Sequence, residues 1–123
     1  MRVFKNKFFA KWAHKEGLSD KTLLVAVAEM EQGLIDADLG GGVFKKRVAT
    51  AKGKSSGGRT LIAYRFAGKA FFVYGFTKNA KANIIATELK ALRILANDLL
   101  NYSDTEINRL LEAGSLFEIN ADD

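Results

Sequence analysis

Two periods of apolar residues run along this chain, and the places where one gives way to the other mark its elements. Val3 and Phe4 can begin a short strand, but from about Lys7 the apolar positions Phe8, Phe9 and Trp12 take the spacing of a helix face. Gly17 is placed to stop that helix. Ser19 and Asp20 cap a second one, whose apolar residues Leu23, Leu24, Val27 and Met30 recur at helical intervals until Gly33. From Gly40 the period drops to two. Residues 43–49 alternate around Phe44, Lys46 and Val48 as a strand does. AKGKSSGG, residues 51–58, has the small, polar, glycine-rich composition of a turn or flexible loop. RTLIAYRF and KAFFVYGFT follow as β-branched and aromatic runs separated by Ala67 and Gly68, a hairpin signal.

Three strands in succession predict an antiparallel meander. The helical period returns with Ile84, Ile85, Leu89, Leu92, Leu95, Ala96 and Leu99, predicting a long amphipathic helix over about 82–100. Ser103 and Glu106 have capping-box spacing, so another helix starts there and stops near Gly114, and LFEIN at 116–120 reads as a last short strand. The fold class is α+β: two N-terminal helices packed on a twisted antiparallel sheet, with further C-terminal helices and a short edge strand. At 123 residues, 48% of them hydrophobic, the chain has the size and core of one domain, residues 1–123.

Charge changes the picture more than composition does. Residues 39–87 hold ten of the nineteen Lys and Arg residues and none of the fourteen Asp and Glu, so the flanks carry nine basic residues against fourteen acidic ones. The absence of Cys excludes a disulfide framework and thiolate metal sites, and a single His argues against a histidine metal centre. No metal or other cofactor is expected. The apolar runs fall short of a membrane span and Lys5, Lys7 and Lys11 interrupt any signal-peptide core, so the sequence reads as soluble and cytoplasmic, with no membrane partner.

Two short motifs carry no weight. GKS at 53–55 is not a phosphate loop, because Val48 stands where that motif requires Gly and no strand leads directly into a helix. His14 sits on a Lys-rich helix face, the ordinary place for a surface His. The basic run is different. Lys45, Lys46, Arg47, Lys52, Lys54 and Arg59 lack interspersed acids, flank a Gly-rich segment whose backbone can approach a polyanion, and adjoin strands bearing Phe44, Tyr64 and Tyr74. Single-stranded RNA, whose bases can stack on aromatic rings, fits that mixture better than duplex DNA.

In order and spacing, GGGVFKKRVATAKGKSSGGRTLIAYRF followed by AFFVYGFTKNAKANI resembles the RelE/HigB-like toxins of bacterial type II toxin–antitoxin modules. FFAKWAHKEGLSD and LIDADLGGG before it, and ELKALRILA after it, extend the resemblance over nearly the whole chain. The resemblance implies a RelE-like ribonuclease fold and metal-independent, ribosome-dependent cleavage of mRNA, in which a 2′-hydroxyl attacks its own phosphodiester. It also implies a cognate antitoxin, usually a helix-turn-helix protein, through which alone operator DNA is bound. By motif, Lys52 and Lys54 match the loop lysines, Arg59 the Arg after the glycines and Lys78 the basic position ending the third strand. Such a reaction needs a base, an acid and positive charge on the phosphorane. A Lys among other cations gives up its proton more readily, whereas an Arg keeps it. Lys54, and after it Lys52, is therefore the expected base, Lys78 the acid and Arg59 the phosphate clamp. Lys45, Lys46, Arg47, Arg65, Tyr74, Asn79 and Lys81 are expected to hold RNA. Some relatives carry an Arg and a Tyr where this chain has Asn79 and Ile85, which leaves Tyr74 as the aromatic to stack. The alternatives are a non-catalytic RNA-binding or autoregulatory module, and a DNA gyrase inhibitor of the related ParE branch.

Overall fold

A computed structural model describes residues 1–50 and 53–120, with the backbone alone for 53–56. In chain order the elements are β1 (Arg2–Asn6), α1 (Lys7–Lys15), α2 (Asp20–Glu31), β2 (Ala37–Asp38), β3 (Val43–Thr50), β4 (Gly53–Tyr64), β5 (Lys69–Thr77), α3 (Ala86–Asn101), α4 (Asp104–Glu112) and β6 (Leu116–Ile119). The strands form one sheet in the order β2-β3-β4-β5-β1-β6, and every pair is antiparallel except β1 with β5. The predicted meander is its centre.

The KAFFVYGFT run is apolar on both sides of the strand because both faces of the sheet are covered there. On one face Phe9, Ala13, Leu23, Val27 and Met30 from α1 and α2 pack against Val48, Ile62 and Phe72. On the other, Leu92, Ala96, Leu99 and Ile107 from α3 and α4 pack against Val43, Leu61, Ala63, Phe71 and Val73. Phe4, Phe9, Phe71 and Phe72 are fully buried, each contributing on the order of 1.5–3 kcal/mol.

Local chemistry sets the element ends. The Asn6 side chain accepts from the Phe9 N–H at 2.7 Å, turning β1 directly into α1. Ser19 caps α2 through the Thr22 N–H, and Gly33, at φ +88°, ends it while the Leu34 N–H reaches back to the Glu29 carbonyl. Ser103 and Glu106 make the capping box that opens α4.

Three boundaries differ from the sequence reading. The segment read as a loop belongs largely to β4, whose Gly53 pairs with Thr50, so backbone pairing to β3 outweighs the poor strand propensity of Gly and Ser. The β4–β5 turn occupies residues 65–68, and Ala67 rather than Gly68 takes the positive φ, at +56°. α3 starts at Ala86 rather than near 82, because the Glu88 carboxylate accepts the Ile85 N–H and makes Ile85 its N-cap. Among the described residues, no helix is long and apolar enough to cross a membrane.

Candidate nucleic-acid interface

Strand alternation and register decide which basic residues meet. On β3 the even positions Phe44 and Val48 face α1 and α2, so the odd positions Val43, Lys45 and Arg47 share the opposite face. Arg47 pairs directly with Arg59 on β4, and Arg59 with Phe76 on β5. Two like charges opposite each other disfavour the sheet. The helices α3 and α4 cover the other end of this face and leave this end open.

Arg47, Ala49, Gly57, Gly58, Arg59 and Lys78 line an open groove of about 420 Å³ at the free end of the meander. Gly58 pairs with Thr77, and the Lys78 N–H donates to the Gly57 carbonyl at 3.2 Å, which brings the end of β5 beside β4. Arg59 Nη1 donates to the same carbonyl at 3.1 Å. Among the described residues none of Arg47, Arg59 and Lys78 forms a salt bridge, whereas Arg2, Lys5, Lys46, Lys69 and Lys81 all do. Beside the groove, the Asp36 carboxylate accepts the Arg47 backbone N–H at 2.7 Å, which fixes the strand edge. The arrangement can hold a phosphodiester by charge and direct guanidinium hydrogen bonds to it.

The remaining sequence candidates separate. Lys52 lies outside the described residues. Lys54 sits within β4, near the groove in sequence, and its side chain is not among those described. Lys45 shares the face of Arg47 one repeat toward α3 and is half-buried outside the groove lining. Asn79 is exposed in the turn that follows Lys78.

Lys46 and Arg65 do not join the groove. Lys46 is buried on the opposite face, where its Nζ donates to the Leu34 carbonyl at 3.0 Å and pairs with Glu29 at 3.0 Å, tying β3 to the end of α2. It follows Lys45 in sequence, and a strand turns neighbours to opposite faces. Arg65 lies at the far end of β4, where Nη1 donates to the Leu100 carbonyl at the end of α3.

Tyr74 and Lys81 share the groove's face and are engaged with each other. The Tyr74 hydroxyl donates to Glu88 at 2.8 Å, and Lys81 Nζ lies 2.5 Å from the other Glu88 oxygen and 3.4 Å from the Tyr74 hydroxyl. Lys81, then Tyr74 and the Ile85 N–H, hold the Glu88 carboxyl down at about 2. Burial, then the Glu88 bond, pushes the Tyr74 phenol up. The Glu88 hydrogen bond raises the Lys81 ammonium. This cluster locks the start of α3 to β5. Phe8, which the sequence offered only as a helix position, stacks on Tyr74 with ring centres 5.5 Å apart and planes 4° apart. No spacing rule singles it out; the contact arises because α1 lies beside the part of β5 that β1 does not reach.

Gly75 of the YGF triplet has a physical cause in the same place. A Cβ there would stand 2.2 Å from Trp12 Cε3, so only Gly lets α1 lie against β5. Among the described residues no group of three or more His, Cys, Asp or Glu side chains could hold a metal ion.

The sequence model of one protein family, described as the RelE toxin of the RelE / RelB toxin-antitoxin system, matches residues 1–119. None of the curated proteins matches the chain.

Proposed function

The chain belongs to the RelE toxin family, and from that membership together with the cationic groove we propose that it is the toxin of a type II toxin–antitoxin module that cleaves mRNA on the ribosome. The observation that carries this reading is the Arg47–Arg59 pair, held opposite each other across β3 and β4 with Lys78 alongside and no carboxylate bonded to any of the three side chains among the described residues. A fold gains nothing from that juxtaposition. A polyanionic ligand does.

In this reading Arg59 clamps the scissile phosphate and stabilises its developing charge, while Arg47 holds the neighbouring backbone. Lys54 takes the proton of the attacking 2′-hydroxyl, Lys52 supports it, and Lys78 delivers a proton to the departing 5′-oxygen. The products are a 2′,3′-cyclic phosphate and a 5′-hydroxyl. The partners are the ribosome with its mRNA and a cognate antitoxin of helix-turn-helix type, which carries the complex to operator DNA. An acidic antitoxin segment suits the groove by charge.

Adding the purified chain to translating ribosomes on a defined mRNA tests the reaction. Cleavage at codon positions with 5′-hydroxyl ends is expected, and Lys54→Arg, which keeps the charge and loses the usable base, is expected to lose it. An intact mRNA would leave the non-catalytic binder, and inhibition of DNA supercoiling would transfer the chain to the gyrase-directed branch.

A further inference from the structure

The groove provides for phosphates and not for bases. Tyr74, the aromatic that the sequence offers for stacking, has its hydroxyl bonded to Glu88 and a ring already laid against it. That ring is Phe8, which is 59% exposed although it belongs to an otherwise well-packed corner. Phe8, Tyr74 and Phe76 form a row, with centroids 5.5 and 6.1 Å apart, and Phe76 is the register partner of Arg59. Phe76 is buried, so the row is packed and Phe8 is its exposed end, joined through Tyr74 and Phe76 to the strand positions of the Arg59–Arg47 pair. Lys7 and Lys11 are exposed on α1, next to Phe8 and one turn along from it. Glu88, the carboxylate bonded to Tyr74, is paired with Lys81.

We propose that Phe8 is a base-stacking platform: an unstacked RNA base rests on its open face, with Lys11 beside the flanking phosphate, while the scissile phosphate lies in the groove. Phe8 touches the substrate without taking part in proton transfer, so it sets the position of the strand. This inference rests on the RNA-cleaving reading of the groove. A single aromatic face accepts any base, since each has a π surface, so Phe8 supplies register rather than sequence choice.

The test is binding of a short, single-stranded 2′-O-methyl RNA, which cannot be cleaved, to the full-length protein by fluorescence anisotropy. Phe8→Ala is expected to weaken binding about tenfold, Phe8→Leu nearly as much, and Phe8→Trp not at all. An abasic nucleotide is then moved along the oligonucleotide. One position should cost the wild-type protein the same factor and cost Phe8→Ala nothing, a coupling that a merely structural role would not produce. Equal penalties in both proteins, or full binding by Phe8→Leu, overturn the proposal. It is equally overturned if Phe8→Ala binds the RNA normally and loses its antitoxin, since that assigns the ring to a protein partner. Arg59→Ala serves as the reference. Weakened binding there with no Phe8 coupling defeats the platform alone, and unweakened binding there defeats the RNA reading of the groove.

Discussion

At the residue scale, side chains of one type part company according to what they can reach. Lys81 and Lys78 are three positions apart, yet Lys81 is committed to Glu88 and Tyr74 while Lys78 lines the groove. The Glu88 cluster gives a pH prediction with a definite sign. Its carboxyl ordinarily titrates near 4.5 and is held at about 2 in the folded protein, so the native state favours the ionised form. The stability from this group is fully present above pH 4.5 and is lost as pH falls toward 2. Urea unfolding between pH 5 and about 2.5 should therefore fall more steeply with acid in the wild-type chain than in Glu88→Gln; parallel curves would show that the cluster contributes no pH-dependent stability. The aromatic in this cluster illustrates what the sequence could not express. Tyr74 was recognisable as an aromatic beside a basic strand, but its hydroxyl partner is fourteen residues away and the ring upon it comes from α1, contacts that exist only after α1 and α3 have docked.

At the element scale, strand alternation does the sorting. The helices, the meander and the last strand were legible because period, caps and glycine stops are local signals, as at Ser19, Gly33 and Ser103. The parallel β1–β5 pairing was not, since five residues with Val3 and Phe4 say nothing about which strand they join. Nor was the extension of β4 through GKSSGG, where the backbone partner rather than residue propensity decides. A KKR triplet likewise reads as one basic unit, but Lys46 and Arg47 face opposite sides of the sheet. Their substitutions should therefore fail differently. Lys46→Met is expected to lower stability by about 1–2 kcal/mol, since it removes the bond to the Leu34 carbonyl and the Glu29 pair, with RNA binding by the folded fraction unchanged. Arg47→Thr should raise stability by roughly 0.5 kcal/mol through relief of the charge opposite Arg59, and weaken RNA binding severalfold. Denaturant melts beside anisotropy titrations separate the two; equal effects on both quantities at both positions would contradict the face assignment.

At the scale of the molecule, the charge polarity in the sequence resolves into one open surface. Ten basic residues without a carboxylate among them mark the middle of the chain, yet the fold withdraws Lys46 into the α2 interface, ties Lys81 to Glu88 and sends Arg65 to the far end of the sheet. Arg47, Arg59 and Lys78 remain around the groove. The candidate groove was thus half legible: the ordered motif contains Arg47, Arg59 and Lys78, and tertiary packing engages Lys46, Lys81 and Arg65 elsewhere. Helices α3 and α4 cover one end of the sheet face, and the Phe8–Tyr74–Phe76 row of rings lies between α1 and the strand positions of the arginine pair. The most direct test is growth arrest and transcript cleavage after induced expression of Arg59→Ala, Lys78→Ala and Arg65→Ala, each checked for native folding by circular dichroism. Arg59→Ala and Lys78→Ala should each lose cleavage by at least about a hundredfold, the scale of removing one transition-state electrostatic or proton-transfer group, and Arg65→Ala should cleave as the wild type does. Full cleavage by folded Arg59→Ala and Lys78→Ala, or its loss in Arg65→Ala alone, would contradict the assignment of the groove as the active site.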